Sequence, residues 1–333
     1  MRKPILYITS SVEDYLADGL LHGLREILGE QIVDFPKAEH LYEEFTPYVN
    51  ERIRGHGMTM YTCPLKNIDI DRSQIEVRLS NHDFSCVVFS CIGRQYGLFT
   101  QWLHHYQLTP VILVDGADSD LAVPHLKHRI KSLIFSAPTS RFLYFKREWT
   151  HKTHFNLLAA ILTKLGLRVP SNYSNLRHIA FAIPPQKLRK ETPIKTKLFP
   201  THIIDPEIRD VLGIKGESYS FSTEEEYYKD LAQSRFGITN KRGGWDCLRH
   251  YEIVINQAVP CFRNLNHKDP NCAPHGMNEG NCVIYHSAEE LLNICQSMSE
   301  ECYKKLQSAG QDWLKKQTTI ARAREFLTAI ETV

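Results

Sequence analysis

The chain is 333 residues long, with 42% apolar and 23% charged residues, which accommodates two domains with separate cores and excludes a disordered or fibrous protein. A formal net charge of +2 excludes a strong global field toward nucleic acid or an anionic membrane surface. From the N-terminus, Ile5 to Ile8 reads as a short buried strand. Ser10-x-x-Glu13 then has the form of a capping box. Val12, Tyr15, Leu16, Leu20, Gly23, Leu24, Ile27 and Leu28 recur at helical spacing, and Gly29 is placed to end that helix. Gln31 to Phe35 is the next strand. Phe45 to Asp83 shows no clear period and reads as irregular structure or an insertion. Ser85 to Ser90, Pro110 to Asp115 and Ser132 to Ser136 are further buried strands. At Pro184-Pro185 the pattern breaks, and the polar, basic stretch Gln186 to Lys197 reads as a linker.

The second half restarts with a short strand at Lys197-Leu-Phe. A helix over Glu224 to Ser234 follows, then a strand at Phe236 to Thr239, a glycine-rich loop at Lys241 to Asp246 and a helix over Cys247 to Asn256. Ala258 to Phe262 is a strand, and Ser287-x-x-Glu290 is a capping box opening a helix through Met298. The tail from Ser299 to Ile330 reads as helical with a break near Gly310. Alternating strands and helices in both halves predict an α/β protein with two Rossmann-like, doubly wound parallel sheets facing a cleft. The expected division is residues 1–185, residues 186–315, and a C-terminal helix over 316–333 that packs back on the first domain.

The stretch from Ser234 to Phe262 carries the chemistry. Paired glycines at Gly243 and Gly244 let a backbone approach a ligand, and a helix starting at Trp245 or Asp246 would present unpaired amides and a partial positive charge. Lys241 and Arg242 stand beside it, so the loop suits a diphosphate. Arg249 and Glu252 share one helix face. The arginine can hold a phosphate bidentately, and the glutamate can accept from ribose hydroxyls.

The run Arg249-x-x-Glu252, an apolar helix, and Ala258-Val-Pro-Cys-Phe262 resembles the nucleotide-binding half of exostosin-like and bacterial spore-maturation-type glycosyltransferases. Tyr15 to Arg25 and Tyr144 to Glu148 carry a weaker likeness in the first half. The resemblance implies the GT-B fold, a nucleotide-sugar donor, no required metal or other cofactor, and a diphosphate facing Arg249 with the ribose facing Glu252. This sequence departs from the family at Ile253, where members carry alanine, and at Gly244, which breaks the E-x7-E of retaining members.

A catalytic base in such an architecture comes from the first domain. Asp14 and Asp18 follow the first strand, with Glu13 and His22 nearby, and Asp115 ends an apolar strand. Asp69-Ile-Asp71 and Asp118-Ser-Asp120 each fit the metal-binding D-x-D of one-domain GT-A transferases, a reading that leaves the second half unexplained. Cys261, Cys272, His275 and Cys282 do not match a zinc knuckle. The paired histidines His104-His105, His125 and His128, and His151 and His154 lack ligand partners at useful spacing. The apolar run at Ile5 to Ile8 is too short for a signal peptide, and no stretch is long enough to span a bilayer. The odd count of nine cysteines, most of them in apolar stretches, fits reduced thiols in the cytoplasm. The expectation is a metal-independent glycosyltransferase using a nucleoside diphosphate sugar. The rivals are an epimerase of the same fold and a non-catalytic nucleotide- or nucleic-acid-binding module. The acceptor is open among glycan, small molecule and nucleic acid.

Overall fold

The computed structural model describes residues 3–10, 12–45, 60–62, 64–122, 142–150, 153, 175–214, 221 and 223–331. The strand expected at Ser132 to Ser136, and His125, His128, His151 and His154, lie outside them.

The first half is built on β1 (Ile5–Ile8), β2 (Ile32–Phe35), β3 (Cys86–Phe89), β4 (Val111–Asp115), β5 (Leu143–Lys146) and β6 (Leu176–His178). They form a parallel sheet in the order β2-β1-β3-β4-β5-β6. The strands are short apolar runs because both faces are covered. Tyr7, Val88, Ile112 and Phe145 pack to one side, with Leu16 and Leu20 of α1 (Tyr15–Leu28). Leu6, Val87, Phe89 and Leu113 pack to the other, with Ile92 and Phe99 of α3 (Ile92–Gln101). Among its described residues, the stretch before β3 contains one short α-helix, α2 (Ile75–Ser80). The chain leaves β1 for β2 on one side and then returns to β3 on the other. The crevice between the carboxyl ends of β1 and β3 is therefore a topological switch point, where open α/β sheets bind ligands.

The expected cap of α1 is displaced. Asp14 is the N-cap, and its Oδ1 accepts from the Leu16 and Ala17 amides at 3.2 Å. Asp18 reaches back to accept the Asp14 amide at 3.0 Å. The short carboxylate on the extended Asp14 backbone is what meets the orphan donors, while the Ser10 hydroxyl is occupied within its own turn by the Val12 amide. Val12, counted in the helical stripe, precedes the helix and is exposed.

The second half contains α4 (Pro206–Val211), α5 (Glu224–Gln233), β7 (Phe236–Asn240), α6 (Leu248–Ile255), β8 (Val259–Arg263), β9 (Val283–Tyr285), α7 (Ala288–Ser297), α8 (Glu300–Lys315) and α9 (Thr319–Ile330). The sheet order is β7-β8-β9, all parallel. The strand expected at Lys197 reduces to one parallel bridge, Lys197 to Ser234, at the β7 edge. The stretch before it is pinned rather than loose. Lys195 donates to the carbonyls of Ala232 at 2.9 Å and Asn256 at 3.0 Å, closing the C-terminal ends of α5 and α6.

The chain crosses between the halves at Ile183 and again at Thr318, and these crossings are bonded to each other. The Ile183 amide donates to the Gln317 carbonyl at 2.9 Å, and the Thr319 amide donates to the Ile183 carbonyl at 2.8 Å. The tail breaks there and not at Gly310, which lies inside α8. Glycine in a helix costs only about 1 kcal/mol relative to alanine, and buried Tyr303, Trp313 and Leu314 hold α8 through it. Thr318 then caps α9, which lies along α1. Among the described residues, no helix is long and apolar enough to cross a membrane.

Gly23 marks where α1 and α9 touch most closely. A Cβ there would overlap the Thr319 carbonyl, with its carbon at 2.5 Å and the Ala323 Cβ at 2.9 Å. Gly23→Ala should therefore force the helices apart and destabilise the protein by about 1–3 kcal/mol. Chemical denaturation checks this. An unchanged midpoint would mean that α9 is free to shift.

Candidate active site

A cleft of about 1070 Å³ opens between the two sheets. The first half lines it at the ends of its strands: Glu13 and Asp14 after β1, Arg94 in the first turn of α3, Asp115 ending β4 and Asp118 in the loop beyond it. The second half contributes Arg242 after β7, Arg249 and Glu252 on α6, and Tyr227 on α5. Residues far apart in sequence thus meet at the carboxyl ends of both sheets. A second, more apolar cavity of about 710 Å³ lies at the opposite ends of the first sheet's strands, beside Leu28, Val111 and Leu327.

On the second half's side of the cleft, α6 begins at Leu248 rather than at Trp245 or Asp246. Both are bonded within the protein, and of the two only Asp246 lines the cleft, together with Gly244. His250 Nε2 lies 2.8 Å from the Trp245 carbonyl, and Asp246 accepts from the Phe181 amide at 2.8 Å and the Tyr251 hydroxyl at 2.9 Å. Cys247 is the N-cap and makes no side-chain capping bond, so the first turn of α6 meets the cleft uncapped by a side chain. Arg249 and Glu252 line the cleft one turn apart. Lys241 does not line it: its ammonium lies over the Trp245 ring at 5.1 Å.

Glu252 accepts from the Tyr227 hydroxyl at 3.3 Å and the Tyr228 hydroxyl at 3.4 Å. Burial pushes its pKa up to about 7, opposed by Arg249 and reinforced by Glu224. The tyrosines come from α5, whose polar sequence gave no sign of a site. The signal that was available is the adjacent Tyr227-Tyr228 pair in a helix preceding the basic, glycine-rich loop.

The halves are joined beneath the cleft by Arg147, which is 1% exposed. Its Nε donates to the Gly116 carbonyl at 3.0 Å and its Nη1 to the Asp246 carbonyl at 2.8 Å, while Nη2 pairs with Asp118. The neighbouring Glu148 accepts the Asp246 amide at 3.0 Å. Burial raises the pKa of both Asp246 and Glu148, and the Arg147 guanidinium opposes that rise. Charged residues directly after an apolar strand, as in Tyr144-Phe-Lys-Arg-Glu148, were the only sequence signal for this junction.

The three carboxylates expected on the first half fare differently. Asp14 faces the cleft, with Oδ1 capping α1 and Oδ2 3.5 Å from Arg94. Asp18 does not line the cleft. It lies 2.9 Å from His40 Nε2, and burial raises its pKa. Asp115 is enclosed at the cleft floor by Lys146 at 3.0 Å and the Tyr144 hydroxyl at 2.5 Å. His22 is buried away from the cleft against Thr319, at 2.8 Å. Arg94 and the start of α3 were missed because the sequence between Ser90 and Pro110 was not read as a helix.

The D-x-D pairs are used structurally. Asp71 caps its own turn through the Ser73 amide at 2.8 Å. Asp118 pairs with Arg147, and Asp120 accepts from the Thr150 hydroxyl at 2.7 Å. Among the described residues, no group of histidine, cysteine and acidic side chains is arranged to hold a metal. Cys261 instead faces Cys295 in the core of the second half.

No protein-family model matches the chain, and no curated protein matches it in sequence. Solved structures do match. HepE of Anabaena, solved in complex with UDP-glucose, is 9% identical, with a TM-score of 0.54 over 99% of this chain and 100% of HepE. A glycosyltransferase from Rickettsia africae is 10% identical, with a TM-score of 0.55 over 99% of this chain and 98% of that one. Trehalose-6-phosphate synthase OtsA is 10% identical, with a TM-score of 0.54 over 99% of both chains. The fold is GT-B. At these identities the likeness extends to architecture alone.

The raised pKa of Glu252 has a sign that can be measured. Between its ordinary value of 4.5 and about 7 the folded state binds more protons than the unfolded state. The stability it contributes is full below about pH 4.5 and is lost as pH rises through 7. Glu252→Gln should then raise stability by on the order of 1–3 kcal/mol at pH 8 and by nothing near pH 4. Denaturation midpoints at both pH values test this. An equal shift at both would place the cause outside titration.

Proposed function

We propose that this protein is a glycosyltransferase that moves a sugar from a nucleoside diphosphate to an acceptor hydroxyl. The observation that carries the reading is the pairing of Arg249 and Glu252, one turn apart on α6 and opposite Asp14 in the cleft of a GT-B fold. HepE, of the same fold, was solved with UDP-glucose. The exostosin-like motif Arg249-x-x-Glu252 followed by Val259-Pro260 supports the same donor class.

In this mechanism Arg249, Arg242 and the first-turn amides of α6 hold the diphosphate, and Glu252 accepts from the ribose hydroxyls. Phe221 and Tyr227 line the wall beyond Glu252, where an aromatic base can stack. The acceptor oxygen attacks the anomeric carbon, the bond to the diphosphate oxygen breaks, and the leaving diphosphate takes the bonding pair. The acceptor proton passes to Asp14 Oδ2, the oxygen not committed to the helix cap. Arginines and amides neutralise the leaving group, so no metal is required. Reduced, unpaired cysteines such as Cys261 and Cys295 fit a cytoplasmic enzyme.

Arg249→Ala should weaken UDP binding at least tenfold by calorimetry, and Arg249→Lys should fail to restore it, because an ammonium cannot form the bidentate pair. Unchanged affinity across UDP, GDP and ADP would put the donor elsewhere. Asp14→Asn keeps an oxygen for the cap, so the fold should persist while kcat falls at least 100-fold and donor affinity stays within threefold. Activity should survive EDTA. Loss on chelation with recovery in Mn²⁺ would overturn the metal-free mechanism, and turnover of the nucleotide sugar without any acceptor would favour an epimerase.

A further inference from the structure

The glycines of the donor loop invite the reading that they admit a ligand's phosphates. The geometry points to a different cause, and we infer that Asp118 is a positioning residue: with Glu148 it fills the space in front of Gly243 and Gly244 and seats the donor loop against the first half of the molecule. A Cβ on Gly243 would overlap the Asp118 carboxylate, whose Cγ lies 2.8 Å away. A Cβ on Gly244 would lie 2.5 Å from Glu148 Oε1 and 3.1 Å from Asp118 Oδ1. Neither glycine has a positive φ, so the backbone conformation does not call for glycine at either position. Gly243 does not line the cleft at all.

The two carboxylates are not free to yield. Glu148 accepts the Asp246 amide at 3.0 Å, two residues past Gly244. Asp118 is tied to Arg147, and Arg147 is fixed by the carbonyls of Gly116 and Asp246. The side chain of Asp118 is 59% exposed, yet it can turn away only by giving up that buried guanidinium. The contact therefore sets how close Arg242 and the start of α6 come to the loops after β1 and β4. The inference goes beyond the donor assignment and does not depend on it, because the carboxylate–glycine contact exists without any ligand.

The test is a rescue experiment on the full chain. Gly243→Ala should lower the melting temperature by several degrees and speed amide exchange over residues 242–249 at least tenfold. Adding Asp118→Ala removes the obstructing carboxylate, and exchange in the double variant should return to the level of Asp118→Ala alone. Adding Asp118→Asn keeps the obstructing volume and should not rescue. UDP affinity, where wild type binds UDP, should follow the same pattern. A silent Gly243→Ala, a defect that Asp118→Ala leaves untouched, or equal rescue by alanine and asparagine would each overturn the inference. Loss of UDP binding in Gly243→Ala without altered exchange would return the glycine to the ligand. Because melting and exchange need no donor, they decide the matter even if the Arg249 variants place the donor elsewhere.

Discussion

The arrangement depends on one buried cation. Arg147 leaves β5 at the carboxyl end of the first sheet and ends among groups from both halves: Gly116 and Asp118 on its own side, Asp246 on the other. A guanidinium out of water is tolerated only where its donors are met, and one of its acceptors, the Asp246 carbonyl, belongs to the second sheet's loop. Its face also lies over the Phe181 ring at 4.5 Å, just before the first crossing between the halves. Phe181 in turn gives its amide to Asp246. The charge cluster, the aromatic contact and the chain crossing thus close one circuit, and the position of the glycine-rich loop after β7 is a consequence of it.

That circuit explains why basic residues near the cleft are not equivalent. Arg147 lines the cleft but is bound to acceptors on every side. Lys241, the first cation of the basic loop, rests on Trp245 and does not line the cleft. Arg242 and Arg249 do. Counting positive charges assigns all of them to a ligand, whereas Arg147 holds the two halves together, Lys241 rests within its own loop, and Arg242 and Arg249 face the space between the halves.

The same division accounts for what the sequence could and could not disclose. Short apolar strands such as Cys86–Phe89 and Val111–Asp115, and the helical period over Tyr15–Leu28, are local patterns, and a parallel sheet with covered faces produces them wherever it occurs. The strand–loop–helix–strand order from Phe236 to Arg263 was legible for the same reason. The cap of α1 was misplaced by four residues because two overlapping acidic patterns compete there and only backbone geometry chooses between them. The structural partners of Asp246 were hidden because they lie 65 and 98 residues away in sequence. A glycine in a loop advertises missing volume without saying what occupies it, so the sequence could not disclose that Asp118 and Glu148 stand in front of Gly243 and Gly244. Gly23 misled in the opposite sense: it passed as one more position in a helical stripe, when its lack of a side chain is what lets α9 lie on α1.

Within the cleft, Arg249 and Glu252 behave as one unit. Burial raises the glutamate toward protonation, and Arg249 is the principal group opposing it, while Glu224 adds to the rise. With a pKa of about 7 the carboxyl is divided between its forms near neutrality in the empty cleft. In the proposed donor complex, ribose hydroxyls donate to Glu252, which favours the ionised form, so binding draws a proton off it. A diphosphate on Arg249 acts the other way, because it competes for the cation that keeps Glu252 charged. On the proposed assignment the two halves of the donor would therefore be coupled through a pair of side chains one helical turn apart, and a change at Arg249 would alter the grip on the ribose as well as on the phosphates.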